Sequence, residues 1–98
     1  MTPFQKKVYT ATKRIPRGKV ATYSAVARAV QKQLAVRAVG NALNKNSSSD
    51  VPCHRVISSD GTVGGFARGA KEKIKLLRRE GVEVRRGRVR PRFILPSL

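Results

Sequence analysis

The spacing of apolar residues predicts a helix at the start of the chain. Thr2 suits an N-cap and Pro3 the first helical position, because a threonine hydroxyl pairs a free backbone N–H and proline has none to leave unpaired. Apolar side chains then recur every three or four residues, at Phe4, Val8, Ala11 and Ile15. The pattern predicts a helix over residues 3 to 14, ended by a turn at Pro16 and Gly18.

Two shorter helical patterns follow an extended segment, KVATY. Ser24 is the predicted N-cap of the second helix, and a third helix, AVRAVGNALNKN, is predicted to begin near residue 35. Two short helices joined by a tight turn are typical of a helix-turn-helix. The apolar face of the third helix comprises Val36, Val39 and Leu43. Its polar face comprises Arg37, Asn41, Asn44 and Lys45, flanked by Ala38 and Ala42. The alanines are small enough to let a partner approach the backbone closely.

The second half of the chain combines a turn, one more helix and an alternating segment. Asp60 and Gly61 are typical of a tight hairpin turn. A last helix, AKEKIKLLRREG, is predicted to bury Ile74 and Leu77. The segment VEVRRGRVRPRFIL alternates apolar and basic residues, as an exposed basic hairpin does. Together these elements predict one domain over residues 1 to 98, mainly α with short β elements.

The charge of the chain restricts its partners. Lys and Arg number 22 against 5 acidic residues, a formal net charge of +17, and residues 1 to 49 contain no acid at all. Such a surface attracts polyanions, and nucleic acid is the first candidate. A ribosomal or chromatin accessory protein and a basic membrane-surface domain are the alternatives. Because no apolar run approaches the roughly 20 residues of a membrane span and no signal peptide is recognisable, we expect an intracellular protein with no membrane partner.

Cys53 is the only cysteine and His54, its neighbour, the only histidine. One of each cannot form a disulfide or supply the three or four ligands of a zinc site, so no metal is expected. Cys53 is either an inert apolar side chain or a nucleophile whose thiol pKa is lowered by the many basic residues around it.

His54 is either a structural residue or the base that accepts the thiol proton, in which case an acid such as Glu80 would orient it. Neighbours in an extended strand point to opposite faces, so this transfer requires a bend after Pro52 or a bridging water. Arg55 either holds the loop in place or contacts a substrate. The residues alone leave these alternatives open.

The motif PCHRV, preceded by GKVATYSAVARAV and VRAVGNALNKN and followed by DGTVGGFARGAKEKIKLLRREGV, resembles the C-terminal DNA-binding domain of the O6-alkylguanine-DNA alkyltransferases (methylated-DNA–protein-cysteine methyltransferases). The similarity covers roughly residues 3 to 82. It implies a winged helix-turn-helix-like domain that binds double-stranded DNA containing O6-alkylguanine in the minor groove. It implies no cofactor, and a monomer that acts in the cytoplasm and nucleoid, or in the nucleus of a eukaryote.

The resemblance also implies how the alkyl group is moved. Cys53 would attack the alkyl carbon on guanine O6 after the base has flipped out of the duplex, and the thioether product would make each molecule act once. His54 would take the thiol proton through a water, and Glu80 would stabilise the resulting imidazolium. Tyr23 would protonate the departing guanine and press on the neighbouring phosphate. Arg55 would hold the reactive loop in place without reacting.

Further residues are implied to contact the DNA and the flipped base. Arg37 would fill the gap left in the base stack. The other implied DNA contacts are Tyr23, Ala38, Asn41, Ala42 and Lys45. The implied substrate pocket comprises Asn46, Val63, Gly64, Gly65, Phe66 and Ala67. Phe66 and Ala67 stand where many members have a Tyr-Ser pair, so two pocket hydroxyls are missing.

Two other functions compete with alkyl transfer. Many family members carry an additional N-terminal domain, which we expect to be absent here. Alkyltransferase-like proteins are also single-domain, but another residue replaces the cysteine. They bind O6-alkylguanine without repairing it and signal to excision-repair proteins. The presence of Cys53 favours the transferase over such a sensor. A basic DNA- or RNA-binding module with an incidental cysteine is the third alternative.

Overall fold

The predicted first helix is present in the computed structural model, which describes residues 1 to 66 and 68 to 98. Helix α1 spans Pro3–Lys13 and begins in a capping box. The Thr2 hydroxyl accepts a hydrogen bond from the Gln5 backbone N–H, and the Gln5 side chain accepts one from the Thr2 N–H. The prediction of the N-cap and of the helix is therefore confirmed.

The helix-turn-helix consists of α2, Tyr23–Ala29, and α3, Val36–Asn44. The predicted N-cap of α2 is wrong. Thr22 has the extended backbone of a cap, and its hydroxyl accepts from the Ala25 N–H at 3.0 Å. Ser24 lies inside the first turn, where its Oγ is 2.7 Å from the Oγ of Ser59. The helix starts earlier because Thr22 ends a strand whose pairing fixes the position of the chain.

That strand places the start of α2 beside the cysteine loop. Strand β1, Ala21–Thr22, pairs in parallel with β2, Val56–Ile57. A single 3₁₀ turn, Cys53–Arg55, leads directly into β2. The chain therefore bends after Pro52, as one of the two alternatives required. Tyr23 follows β1 immediately, so the pairing holds it close to the turn.

Helix α4 and a basic hairpin follow the turn at Asp60 and Gly61. Helix α4 spans Ala70–Arg79, and the antiparallel strands β3, Val84–Arg85, and β4, Arg88–Val89, follow it. The hairpin and the turn at Asp60 and Gly61 are both as predicted. The described residues form four α-helices and small sheets, which is the mainly α class expected from the sequence.

The β1–β2 pair lies between two clusters of buried apolar side chains. Ala21 and Val56 belong to the cluster formed with α1, α2 and α3. Val20 and Ile57 belong to the cluster beneath α4 and the hairpin. Successive residues of extended chain point to opposite faces, so β2 contributes to both clusters, and so does β1 together with Val20 just before it. They thereby fix the helix-turn-helix relative to the hairpin.

Candidate active site and nucleic-acid interface

Cys53 lies at a cavity of about 680 Å³ between the helix-turn-helix and α4. Its side chain is half-buried, since the 3₁₀ turn presents it at the cavity wall. Tyr23, Asn46, His54 and Glu80 line the same cavity. The structure thus brings the residues that the resemblance assigns to catalysis together with Asn46, which it assigns to the substrate pocket.

Two hydrogen bonds hold the thiol. The Asn46 side-chain amide donates to Cys53 Sγ at 3.3 Å, and the thiol lies 3.7 Å from the Leu43 carbonyl oxygen, to which it donates. Asn46 also donates to the Ser48 carbonyl and accepts from the Ser48 N–H. The loop after α3 therefore fixes the amide that faces the sulfur.

The predicted lowering of the thiol pKa is wrong for the free protein. Burial raises the pKa of Cys53, while the Asn46 hydrogen bond and the charge of Lys73 act in the opposite direction. Most of the basic residues lie on the exposed surface, where water screens their charge. A thiolate at this site depends on the few groups that reach the sulfur.

His54, Arg55 and Glu80 form a cluster behind the cysteine turn. Arg55 donates to both Glu80 carboxylate oxygens, at 3.0 and 2.8 Å, and to the Ile15 carbonyl at 2.9 Å. Arg55 therefore fastens the turn to α4 and α1, which supports the structural role over substrate contact. His54 Nε2 lies 3.0 Å from Glu80 Oε2, but the direction is unsuitable for a hydrogen bond, so the contact is primarily electrostatic.

The charges in this cluster favour a neutral histidine beside a carboxylate. Burial lowers the pKa of His54, although Glu80 partly opposes the shift. Burial also acts to raise the pKa of Glu80, but the hydrogen bonds from Arg55, together with the close contact with His54, outweigh it and leave the pKa below its usual value. A neutral imidazole can accept a proton, and the neighbouring carboxylate would stabilise the resulting charge.

Lys73 is a buried cation beside Tyr23 that the sequence analysis missed. Its ammonium group donates to the Val56 carbonyl at 2.6 Å, the Gly65 carbonyl at 3.1 Å and the Tyr23 hydroxyl at 3.5 Å. Burial lowers the pKa of Lys73 to about 8. Burial raises the pKa of Tyr23, and a negative charge on Cys53 adds to this shift. Spacing could have revealed Lys73, because it lies four residues before Leu77 on the inward face of α4.

The exposed face of α3 carries four of the residues expected to contact DNA. They are Arg37, Ala38 and Asn41 within the helix and Lys45 at its C-cap. Ala42 was also expected to contact DNA, but it is buried, with only 3% of its surface exposed. Helix α1 packs across the side of α3 that carries Ala42, and the Tyr9 hydroxyl donates to the Ala42 carbonyl at 2.6 Å. Ala42 is therefore a core residue and is unavailable to DNA in this conformation.

The predicted substrate pocket is only partly as expected. Gly65 and Phe66 line the cavity, and Ala67 lies outside the described residues. Val63 is 6% exposed and belongs to the hairpin cluster, so it does not face the cavity. At Gly64, φ is +72° and an added Cβ would lie 2.8 Å from the Ser58 Oγ. Gly64 does not line the cavity, and its positive φ and the nearby Ser58 side chain require a glycine at this position.

The described part of the chain contains neither a membrane-spanning helix nor a cluster of metal-binding side chains. Among residues 1 to 66 and 68 to 98, no helix combines the length and apolarity needed to cross a membrane. Over the same ranges, His, Cys, Asp and Glu form no cluster of three that could hold a metal ion.

A family model confirms the relationship suggested by these residues. The model of the 6-O-methylguanine DNA methyltransferase, DNA binding domain, matches residues 3 to 82. The chain belongs to this family. A methylated-DNA–protein-cysteine methyltransferase of Salmonella typhimurium is 47% identical over 81 residues, which are 82% of this chain and 47% of the relative. The Escherichia coli protein Ada, a bifunctional transcriptional activator and DNA repair enzyme, is 44% identical over 80 residues, or 81% of this chain and 23% of Ada. The chain thus spans half or less of these relatives.

Solved structures of the family include complexes with DNA. A Mycobacterium tuberculosis OGT–DNA complex has a TM-score of 0.80 and 38% identity, covering 83% of this chain and 50% of that protein. The S. pombe Atl1 complex with damaged DNA containing O6-carboxymethylguanine has a TM-score of 0.87 and 35% identity, covering 99% of this chain and 98% of Atl1. The likeness therefore supports DNA repair or lesion binding as the general role of the domain.

Proposed function

We propose that this chain repairs O6-alkylguanine in double-stranded DNA by transferring the alkyl group irreversibly to Cys53. The observation that carries the proposal is the placement of Cys53 Sγ at a cavity, 3.3 Å from the Asn46 amide that would stabilise its thiolate. A sensor that only binds the lesion needs the cavity but has no need of a held thiol. Relatives named methylated-DNA–protein-cysteine methyltransferase support the same chemistry.

In the proposed reaction, the sulfur–carbon bond forms as the bond between the alkyl carbon and guanine O6 breaks. The thiol proton passes to His54 by way of a water, and Glu80 stabilises the imidazolium from 3.0 Å. The Tyr23 hydroxyl gives a proton to the departing guanine, so that neutral guanine is released. His54 then returns its proton through solvent to Tyr23. The net change replaces the thiol hydrogen by the alkyl group and gives guanine that hydrogen.

Lys73 would make the proton donor effective. Its ammonium group lies 3.5 Å from the Tyr23 hydroxyl, close enough to stabilise the tyrosinate left after proton transfer. The same positive charge favours the Cys53 thiolate. Both anionic species of the proposed reaction thus share one buried cation.

DNA binding would use the exposed face of α3 in the minor groove. Flipping the alkylated base costs a few kcal/mol, and Arg37 would offset part of this cost by entering the stack. Ala38 next to it is exposed and small enough for close approach to the groove. Asn41 and Lys45 would contact the DNA from the same face. We place the reaction inside the cell, with the protein acting as a monomer.

The test is the intact mass of the protein after incubation with a duplex containing O6-methylguanine. Transfer predicts a mass increase of one CH₂ group, limited to one per molecule. Cys53→Ala with the same duplex and the wild type with undamaged duplex are the controls, and neither should gain mass. An unmodified wild type that still forms a lesion-specific complex would contradict alkyl transfer.

The second candidate is a lesion sensor that binds without repair and passes the site to an excision-repair protein. One observation favours it, the match to S. pombe Atl1 over 99% of this chain, whereas the OGT–DNA complex matches over 83%. A sensor predicts the same affinity for the lesion in wild type and Cys53→Ala, with no adduct on either protein.

A further inference from the structure

Arginines are concentrated in the C-terminal hairpin. Residues 83 to 92 contain five arginines and one acid, and all five arginines are exposed. Arg88 donates to the Asp60 carbonyl at 2.7 Å, and Arg92 pairs with Glu83. The side chains of the other three make no hydrogen bond or ion pair within the described residues, and they are Arg85, Arg86 and Arg90. These three, the hairpin arginines, are therefore available to a partner.

The scaffold beneath the hairpin arginines is fixed. Val84 and Val89 are about 5% exposed and pack into the cluster that includes Leu77. The Val63 N–H donates to the Gly87 carbonyl at 2.9 Å, which ties the hairpin to the preceding loop. Because the backbone is already ordered, a partner that binds these arginines would have to immobilise only their side chains.

A series of hydrogen bonds connects the hairpin to the start of α2. The Val89 N–H donates to the Gly61 carbonyl at 2.9 Å, so β4 lies beside the turn at Asp60 and Gly61. The same turn reaches α2 through Ser59, whose hydroxyl lies 2.7 Å from that of Ser24. Since Ser24 follows Tyr23, a continuous series of contacts links the hairpin to the residue proposed to press on DNA. The family match ends at residue 82, so the hairpin arginines lie outside the region that defines the family.

We propose that Arg85, Arg86 and Arg90 bind the phosphates of the duplex flanking the lesion and extend the footprint of the protein beyond α3. Arginine is suited to this role because its planar guanidinium group binds phosphate oxygens in pairs. The proposal rests on the proposed function, since the lesion site defines where the flank begins. It predicts that the hairpin contributes affinity that is independent of sequence and sensitive to salt.

The test compares the salt dependence of binding to a long lesion-containing duplex. Each phosphate contact adds about 0.9 to the slope of log K against log salt, so Arg85→Ala/Arg86→Ala/Arg90→Ala should reduce the slope by about 2.7. Over a fourfold rise in salt, the wild type should lose about 40-fold more affinity than this variant. The deficit of the variant should shrink as the flanks are shortened, because a short duplex ends before it reaches the hairpin.

The matched control removes the same charge elsewhere. Lys6→Ala/Lys7→Ala/Arg14→Ala changes three exposed residues around the groove between α1 and the end of α2. It should retain most of the wild-type slope. The lysine version of the hairpin, Arg85→Lys/Arg86→Lys/Arg90→Lys, should do the same, and thermal unfolding would confirm that all variants are folded.

The outcomes separate this proposal from the proposed function. A wild-type slope in the alanine variant of the hairpin would overturn the proposal, and transfer to Cys53 could still be measured in the same protein. An equal slope loss in both alanine variants would also overturn it, since total charge would then be the cause. If the alanine variant of the hairpin lost binding to phosphatidylglycerol vesicles but kept the wild-type salt slope for DNA, the hairpin would be assigned to membrane binding instead. A reduced slope without lesion preference would support the hairpin and count against repair.

Discussion

The buried ammonium group of Lys73 should make the stability of the protein depend on pH in a way that one substitution removes. In the unfolded chain a lysine keeps its usual pKa of 10.5, whereas in the folded protein burial lowers it to about 8. Between these values the unfolded state binds more protons than the folded state, so stability rises with pH over this range. Below pH 8 the folded protein bears the full cost of the buried charge.

The size of this effect follows from the shift. A difference of about 2.5 pKa units corresponds to about 3 kcal/mol. The pKa values of Tyr23 and Cys53 are raised, so their titration acts in the opposite direction over the same range. A comparison with Lys73→Met isolates the contribution of Lys73 to the pH dependence of stability, because methionine has a similar shape and no charge. Relative to this variant, the wild type should gain up to about 3 kcal/mol from pH 8 to 10.5.

Urea unfolding at intervals from pH 7 to 10.5 would measure the effect. The lost hydrogen bonds to the Val56 and Gly65 carbonyls add a cost of roughly 1 to 3 kcal/mol each that does not vary with pH. Lys75→Met is the matched control, since Lys75 is exposed on the same helix and its variant should follow the wild-type curve. If the difference in free energy of unfolding between the wild type and Lys73→Met stayed constant across this pH range, the Lys73 ammonium group would not be the source of the pH dependence.

Three further predictions concern the groups around the cavity. Glu80→Gln should destabilise the protein by about 1 to 3 kcal/mol in urea, because it removes the negative charge from a partly buried ion pair with Arg55, whereas Glu83→Gln at the surface should cost under about 1 kcal/mol. An unchanged unfolding midpoint for Glu80→Gln would contradict the arrangement. Asn46→Ala should raise the pKa of Cys53 further, measured as a shift of thiol alkylation by iodoacetamide to higher pH, and an unshifted profile would exclude the amide as a thiolate partner. Arg37→Ala should slow repair of duplex DNA about tenfold or more while leaving the reaction with a free O6-alkylguanine base unchanged, since only the duplex has a gap to fill. Equal slowing on both substrates would remove Arg37 from base flipping.

The parts of the fold that depend on local sequence were predictable. The capping box of α1 follows from Thr2 and its near neighbours, and the hairpin follows from alternation around Gly87. The N-cap at Thr22 could not be predicted from local sequence, because it depends on a two-residue strand that pairs with another strand far along the chain. Strands this short leave no periodic pattern to detect.

The residues of the candidate site could be predicted from the sequence, but their burial and packing partners could be predicted only in part. Cys53 and His54 are singled out by being unique, and the resemblance supplied their partners. Ala42 was misplaced because α1 packs against α3 and widens its buried face. Lys73 was missed because lysine is rarely buried, and its burial depends on the carbonyls of Val56 and Gly65 and on the Tyr23 hydroxyl. Such partners come from distant segments and are visible only in the fold.

The most direct test of the central claim is the stoichiometry of lesion removal, measured by titrating the protein with a duplex that carries a labelled methyl group on O6 of one guanine. Transfer to Cys53 predicts that label moves from DNA to protein until one methyl is bound per molecule and then stops. Proteolysis of the product should recover the label on the peptide that contains Cys53. A stable lesion complex in which all label stays on the DNA would contradict transfer to Cys53, as would label recovered on any other residue.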